Sequence, residues 1–519
     1  MSGEYAAPIL PEPIMHSTAV RRTSHSAPMT HRHAPADLPS AEFREAGHAL
    51  VDRIADFLDG IGDAPVTAAS GPGEIRALLG GPRPLPREGT DAGALLRETA
   101  ETLIGHSLHN GHPRFLGYIT SSAAPVGMLG DLLASAVNPN VGAWVLSPVA
   151  SEIEAETVRW IAELVGYPTD TGGLLVSGGN MANLTAFWAA RRAVAGPDVR
   201  GRGTAAAPDL TIYCSASTHT WVEKAADLSG IGTDAIRWIE CDAEGRMRVS
   251  CLREALVRDR DQGRRPLLVV GNGGSVATGA VDEVEGLAVL SRSRDVWFHV
   301  DGAYGGVAAM LPDAPEELRH LALADSVAVD PHKWLYAPLE AGCLLVRDPE
   351  HLRDAFAYHP PYYRFGEAAV NYVDLGPQNS RGFRALKVWL TLQQVGRAGY
   401  ESMLAEDIRL ARLLFDVADA TPELEARTCG LSVTTFRFVP EQLRDRRGEP
   451  ETEARLNALN QELQARLEAG GEVFLSNAIL DGVYVLRGCI VNFRTAEADI
   501  RAIPEIVVRE GRALWRKQR

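Results

Sequence analysis

Val327-Ala328-Val329-Asp330-Pro331-His332-Lys333-Trp334 decides how the chain is read. A short β-rich run from Asp325 to Val329 is stopped by Pro331, which has no N–H to continue a ladder. Lys333 follows, between His332 and Trp334. An amine held against a ring and an imidazole at a strand end is partly desolvated, which lowers the ammonium pKa and favours the free nucleophile. Such a lysine can form a Schiff base with a carbonyl compound. Read alone, the stretch also suits a surface lysine snorkelling past a turn, so the surroundings decide.

Outward from Lys333 the chain alternates strand and helix. Apolar runs lie at Leu174–Val176, Leu210–Tyr213, Ile236–Ile239, Leu267–Val270, Val296–Val300, Val327–Val329 and Leu344–Val346. Helix-like segments such as Met181–Ala195, Leu252–Val257 and Val284–Leu290 separate several of them. This pattern predicts an α/β fold, a mostly parallel central sheet with helices on both faces. Ligands of such sheets bind at the carboxyl ends of the strands.

Further out the pattern changes. Phe43, Leu50, Val51, Ile54 and Leu58 fall at helical spacing up to Gly60, and a Gly/Pro-rich connector (Gly71 to Pro86) leads to a second helix at Ala94–Ile104. A helix tethered this way can pack on a neighbouring subunit or on its own domain. Met128–Val137 and Glu152–Val165 read as helices, Pro197–Pro208 as a surface loop. Tyr358–Ser380 lacks periodicity, as a lid or a disordered loop does. After a helix at Arg384–Val395, the remainder reads as a small α+β domain. The expected divisions are a disordered tail at 1–40, an N-terminal helical dimerisation segment at 41–110, the large domain at 111–395 and the small one at 396–519. In the tail, His25, His31 and His33 offer a weak metal-binding alternative.

Composition narrows the partners. A formal charge of −15 over 519 residues disfavours nucleic acid and anionic lipid, which need concentrated Lys and Arg. A local anion site at a helix N-terminus remains open. Six scattered cysteines, with no CxxC and no zinc spacing, read as reduced thiols. No run has the length of a membrane span and no secretion signal is visible. The expectation is a cytoplasmic enzyme without a metal.

Four clusters at strand ends carry the chemistry. Ser177-Gly178-Gly179-Asn180 joins a strand to a helix and suits a phosphate: glycines allow close approach, and the helix offers free N–H groups. His219, in Thr218-His219-Thr220-Trp221, can stack on a flat ring and move protons, or simply be a satisfied histidine. His299-Val300-Asp301-Gly302-Ala303-Tyr304 ends an apolar strand in a carboxylate. A buried Asp beside a pyridine nitrogen keeps that nitrogen protonated, and small Ala303 leaves room for a ring. A magnesium-binding or structural Asp is the other reading, weakened by the lack of a second acid at nearby strand ends. Lys333 is the fourth. In this order along an α/β sheet they describe a pyridoxal phosphate site.

These residues resemble the group II pyridoxal phosphate-dependent amino acid decarboxylases, from about Glu42 to the C-terminus. The resemblance also rests on His112-Pro113-Arg114-Phe115, Ser147-Pro148 with Glu152 and Glu154, Asp330-Pro331-His332-Lys333-Trp334 and Arg381-Gly382-Phe383-Arg384. It implies a fold type I homodimer with a shared active site and exchanged N-terminal helices. It implies an internal aldimine on Lys333, Asp301 at the pyridine nitrogen and His219 on the ring. Gly178, Gly179 and Asn180 would hold the phosphate, with Ser275, Ala303, Asp330 and His332 beside the cofactor. It further implies a mobile-loop tyrosine that protonates the substrate carbon after carbon dioxide leaves. Counting back from Arg381 without gaps selects Tyr372, with Tyr362 and Tyr363 as competitors. Relatives with phenylalanine there resemble aldehyde synthases.

Tyr118, Ile119 and Ser121 would line the substrate pocket by the same resemblance, with residues near Asn140 to Trp144 coming from the partner subunit. An apolar and aromatic lining favours an aromatic L-amino acid, with an acidic or diamino acid as runner-up. An aromatic aldehyde synthase is the mechanistic alternative, and a cofactor-binding relative without turnover the non-enzymatic one. Two positions depart from the usual pattern: Val276 replaces a second Thr, and Asp330 stands where aromatic decarboxylases often carry Asn.

Overall fold

Each of the seven apolar runs between Gly172 and Val346 becomes a strand of one sheet in the computed structural model, which describes residues 34–359 and 369–518. The chain's first strand, β1 (Phe115–Leu116), lies elsewhere. The sheet is built from β2 (Gly172–Val176), β3 (Leu210–Ser215), β4 (Ile236–Ile239), β5 (Arg265–Asn272), β6 (Trp297–Asp301), β7 (Ser326–Val329) and β8 (Gly342–Val346). Their order is β2-β8-β7-β6-β5-β3-β4. β3 to β7 run parallel, and β8 is antiparallel to both its neighbours.

Most of the strand residues are apolar because both faces of the sheet are covered. Leu175, Val269, Phe298, Val300, Val327 and Val329 enter one core. Their alternating neighbours Leu174, Val176, Leu268, Val270 and Ala328 enter another, as the period-two geometry of a strand requires. Helices Gly179–Ala195, Trp221–Leu228, Val249–Asp261 and Val284–Arg292 connect the strands. Pro148–Leu164 and Pro125–Val137 each begin with proline in the first turn, where a missing N–H costs nothing.

Two segments differ from the sequence reading. Pro197–Pro208 holds a short helix, Val199–Arg202, bracketed by Gly196 and Gly203 at positive φ. The sequence reading had given this segment only as a surface loop. The helix expected to end at Val395 runs on as Ala385–Ala420, bent at Gly396 (φ 66°, ψ 166°). The expected division at 395 and 396 therefore falls on a bend.

The second sheet has the order β1-β11-β12-β10-β9, with β9 (Leu424–Gly430), β10 (Val433–Phe438), β11 (Phe474–Leu480) and β12 (Val483–Cys489). β9 to β12 are antiparallel neighbours. β1 adds in parallel to β11, with Phe115 opposite Phe474. A strand that precedes the whole seven-stranded sheet in the chain thus completes the second sheet. Helices Pro450–Gly470 and Glu497–Gln518 pack against it.

Helix Ser40–Gly60 buries none of its residues. It is joined to Ala92–His106 by the Arg53–Glu101 ion pair at 2.6 Å. Among the described residues, no helix is long and apolar enough to cross a membrane and no group of metal-ligating side chains forms. His25, His31, His33, Tyr362 and Tyr363 lie outside the described residues.

Candidate active site

Lys333 follows β7 in a tight turn. Its N–H donates to Asp330 O at 2.9 Å, and Asp330 N–H donates to Ala303 O at 3.1 Å. The lysine loop is thereby tied to the loop after β6. The expected crowding by Trp334 is not what the fold provides. Trp334 is fully buried, stacks on Tyr304 at 5.0 Å and donates from Nε1 to Asp407 at 2.8 Å. What faces the amine is a carboxylate: Asp330 Oδ2 lies 3.1 Å from Lys333 Nζ. His332 is held by Nδ1–H donating to Ala341 O at 2.6 Å, and its own carbonyl accepts from Ser121 Oγ at 3.0 Å.

Asp301 closes β6, and its Oδ2 accepts from Asn183 Nδ2 at 3.0 Å and from Trp221 Nε1 at 2.8 Å. Among the described residues Oδ1 receives only Ala303 N–H, at 3.2 Å. One oxygen is therefore saturated and the other open to a further donor, as a protonated pyridine requires. Trp221 ends the His219 motif and Asn183 lies on the helix after the glycine turn, but nothing in the sequence marked them as partners of Asp301.

The glycine turn forms a cup. Gly178 has φ +84°, which favours glycine. A Cβ on Gly179 would lie 2.4 Å from Asp330 Oδ2, and one on Gly342 would lie 2.4 Å from Gly178 C. Gly342, at the start of β8, escaped the sequence reading because its role is purely one of close approach. Helix Gly179–Ala195 starts without a side-chain cap, leaving first-turn N–H groups for an anion. Asn180 Oδ1 and Asp330 Oδ1 are buried without partners. The uncapped helix start offers N–H donors to an anion, and the half-open carboxylate of Asp301 offers an acceptor to a protonated ring nitrogen, as the two ends of pyridoxal phosphate require.

His219 presents its ring openly, while Nδ1 accepts from Trp221 N–H at 3.3 Å. Desolvation holds its pKa below the ordinary value; Asp301 opposes this, and Lys333 and Lys224 reinforce it. The imidazole is neutral at neutral pH. Ser275 is buried and bonded to Thr278 Oγ1 at 3.0 Å, in a loop whose Gly273 N–H donates to Asp301 O at 2.8 Å.

Tyr118 is exposed, with φ +51°. Its carbonyl accepts from Arg487 Nη2 at 2.7 Å, and Arg487 Nη1 donates to Val276 O at 2.7 Å. Arg487 is buried with Nε unpaired, and desolvation lowers its pKa. This arginine from β12 links both loops to the small domain.

Tyr372 follows the segment 360–368, which lies outside the described residues. It lies in a short turn, fully buried, with its ring under the Arg381 guanidinium at 4.6 Å and its hydroxyl 3.5 Å from Ser151 O. Arg381 in turn forms a buried ion pair with Glu154. A tyrosine locked in that core is not carried on a free loop. Its burial sets Tyr372 against the mobile-loop role that the gapless count assigns it.

The chain matches the model of the pyridoxal-dependent decarboxylase conserved domain over residues 72–437. It is 32% identical over 471 residues to an aromatic-L-amino-acid decarboxylase from Bacillus atrophaeus, covering 90% of this chain and 95% of that protein. A phenylacetaldehyde synthase from Arabidopsis thaliana is 29% identical over 493 residues, with 92% and 98% covered. The crystal structure of Oryza sativa TDC with PLP and tryptamine superposes with a TM-score of 0.85 at 26% identity, over 93% of this chain and 100% of that one. The architecture is that of fold type I. Matched over so much of its length, with the lysine, its carboxylate neighbours and the glycine cup all in place, the chain belongs to the pyridoxal-dependent decarboxylases, enzymes that use pyridoxal phosphate.

Proposed function

We propose that this enzyme decarboxylates an aromatic L-amino acid to its amine and carbon dioxide. The observation that carries the substrate class is a cavity of about 310 Å³ beside Ser121 and His332, walled by Phe57, Leu58, Leu103 and Met128. Such a lining favours a flat apolar side chain. Arg494 lines the same cavity and supports an acidic side chain as the second reading.

Pyridoxal phosphate, when bound, supplies an electrophilic carbonyl and a ring that accepts electrons. Lys333 provides the amine that anchors it, with Asp330 as counter-ion until then. Asp301 holds a negative charge for the ring nitrogen, while the Gly178–Asn180 backbone takes the phosphate. His219, neutral at neutral pH, covers the ring and can accept or return a proton. Tyr362 and Tyr363 replace Tyr372 as candidates to protonate the substrate carbon.

The working unit we propose is a homodimer. Leu129, Leu132, Leu133 and Val137 on one helix are exposed, as are Val145, Leu146 and Val149 after it. A contiguous apolar surface of this kind marks an interface, and a second copy would bring its 140–144 segment to the site. Light scattering tests this directly, a monomeric mass being the contrary result.

Carbon dioxide release across a panel of amino acids, with hydrogen peroxide and ammonia followed in parallel, tests the reaction. Amine and carbon dioxide alone are expected from aromatic substrates; stoichiometric peroxide would make the protein an aldehyde synthase instead. Lys333→Ala should abolish turnover, and release at the parent rate would refute the assignment.

A further inference from the structure

We propose that Ser326, His299 and Asn183 form a directional hydrogen-bond relay that fixes Asp301 as the charge partner of the cofactor's ring nitrogen, which makes His299 a positioning residue. The proposal rests on the decarboxylase reading above.

Trp297, His299 and Asp301 alternate along β6 and so project from one face of the strand. The register places His299 opposite Ser326 on β7. Trp297 Nε1 donates to Ser326 Oγ at 2.9 Å, and Ser326 Oγ lies 2.8 Å from His299 Nδ1. His299 Nε2 lies 2.7 Å from Asn183 Oδ1, and Asn183 Nδ2 donates to Asp301 Oδ2 at 3.0 Å.

The ends of this chain determine every proton within it. An indole N–H can only donate, and a carboxylate can only accept. Asn183 must turn its NH₂ to Asp301 and its oxygen to His299, so His299 Nε2 carries the proton. Nδ1 is then the acceptor and takes the Ser326 hydroxyl proton. His299 is completely buried and edge-on to Trp221 at 5.7 Å, and desolvation lowers its pKa to about 4. The imidazole stays neutral in this single tautomer across the working pH range.

Without the His299 donor, the Asn183 oxygen loses its buried partner and the amide is oriented from one end only, by the carboxylate. With it, Oδ2 is saturated and Oδ1 remains the open acceptor. In a low-dielectric interior such a chain strengthens each of its members. The relay therefore acts on the ring nitrogen and on no other part of the ligand.

That selectivity gives a test that does not depend on turnover. Apoenzyme is titrated with pyridoxal phosphate and with a carba analogue whose ring nitrogen is replaced by C–H, and both dissociation constants are measured. The parent protein should prefer the natural cofactor by about tenfold or more, the scale of a hydrogen bond to a charged group. His299→Leu should erase most of this preference while leaving affinity for the analogue within about twofold. His299→Gln, which keeps an N–H near the Nε2 position, should restore it. If the leucine variant does not fold, Asn183→Ala interrupts the same relay and should likewise lose the preference. A variant that folds and keeps the parent preference overturns the relay. Equal affinities in the parent protein would instead refute the placement of Asp301 at the ring nitrogen, so the two failures are distinguishable.

Discussion

Glu154 and Arg381 form a buried ion pair, with side chains only 1% and 2% exposed. Arg381 also donates to Leu175 O at 2.6 Å and Val141 O at 2.9 Å, and Leu175 N–H donates to Glu154 Oε1 at 2.9 Å. The pair clamps the first strand of the sheet to the segment after Asn140. Removing one partner leaves a buried charge unmatched, so Glu154→Leu should cost about 3–5 kcal/mol. The double variant Glu154→Leu/Arg381→Met should cost less than the sum of the two single changes. Denaturant midpoints for the four proteins check this, and simple additivity would refute the coupling.

Gly342 makes a second prediction local to the cup. A methyl group there meets the Gly178 backbone rather than a movable side chain, so the cup itself must shift. Gly342→Ala should weaken cofactor binding about tenfold or more, as lost contacts to a charged phosphate do. An unchanged dissociation constant from equilibrium dialysis would show that the phosphate lies elsewhere.

Asp407 makes stability depend on pH. Burial raises its pKa from 3.8 to about 7, opposed by hydrogen bonds from Tyr336 and Trp334. The folded protein keeps a proton that the unfolded chain releases near 3.8. This contribution is fully present below that value and is lost as pH rises towards 7. Asp407→Asn removes the titration. Relative to the parent, it should gain about 3 kcal/mol between about pH 5 and 8. Urea unfolding at several pH values measures the difference, and parallel curves would refute it.

Tyr372→Phe deletes a hydroxyl whose hydrogen bond to Ser151 O is long, at 3.5 Å. Activity should stay within about threefold and stability within about 1 kcal/mol of the parent. Tyr362→Phe and Tyr363→Phe should be compared beside it, with peroxide as readout. A peroxide signal confined to Tyr372→Phe would return the proton-donor role to that residue.

The large sheet was legible because its strands are covered on both faces and therefore read as unbroken apolar runs. The strand-end motifs were legible because glycine, aspartate and lysine at turns have few other uses in such company. Relationships spanning the fold left weaker traces. Phe115–Leu116 is too short to announce its pairing with Phe474–Leu475, and the close approach of Gly342 to Gly178 depends on two strands lying side by side. Lys333 shows the same limit: sequence neighbours suggested a desolvated amine between His332 and Trp334, whereas the backbone turn sends Trp334 into the core and brings Asp330 to the ammonium.

The parallel pairing of β1 with β11 also governs how the molecule is made. Tyr118 follows β1 directly, and its carbonyl is held by Arg487, 369 residues further along the chain. At about 5–20 residues per second, a ribosome needs roughly 20 to 70 s to deliver that arginine after Tyr118 has emerged. Throughout that interval the cofactor-binding sheet can assemble, but the loop carrying Tyr118 and Ser121 has no strand to lie against. A late strand thus completes a loop that emerges much earlier. Chains released before Arg487 should retain every residue of the cofactor cup and still lack a finished substrate wall.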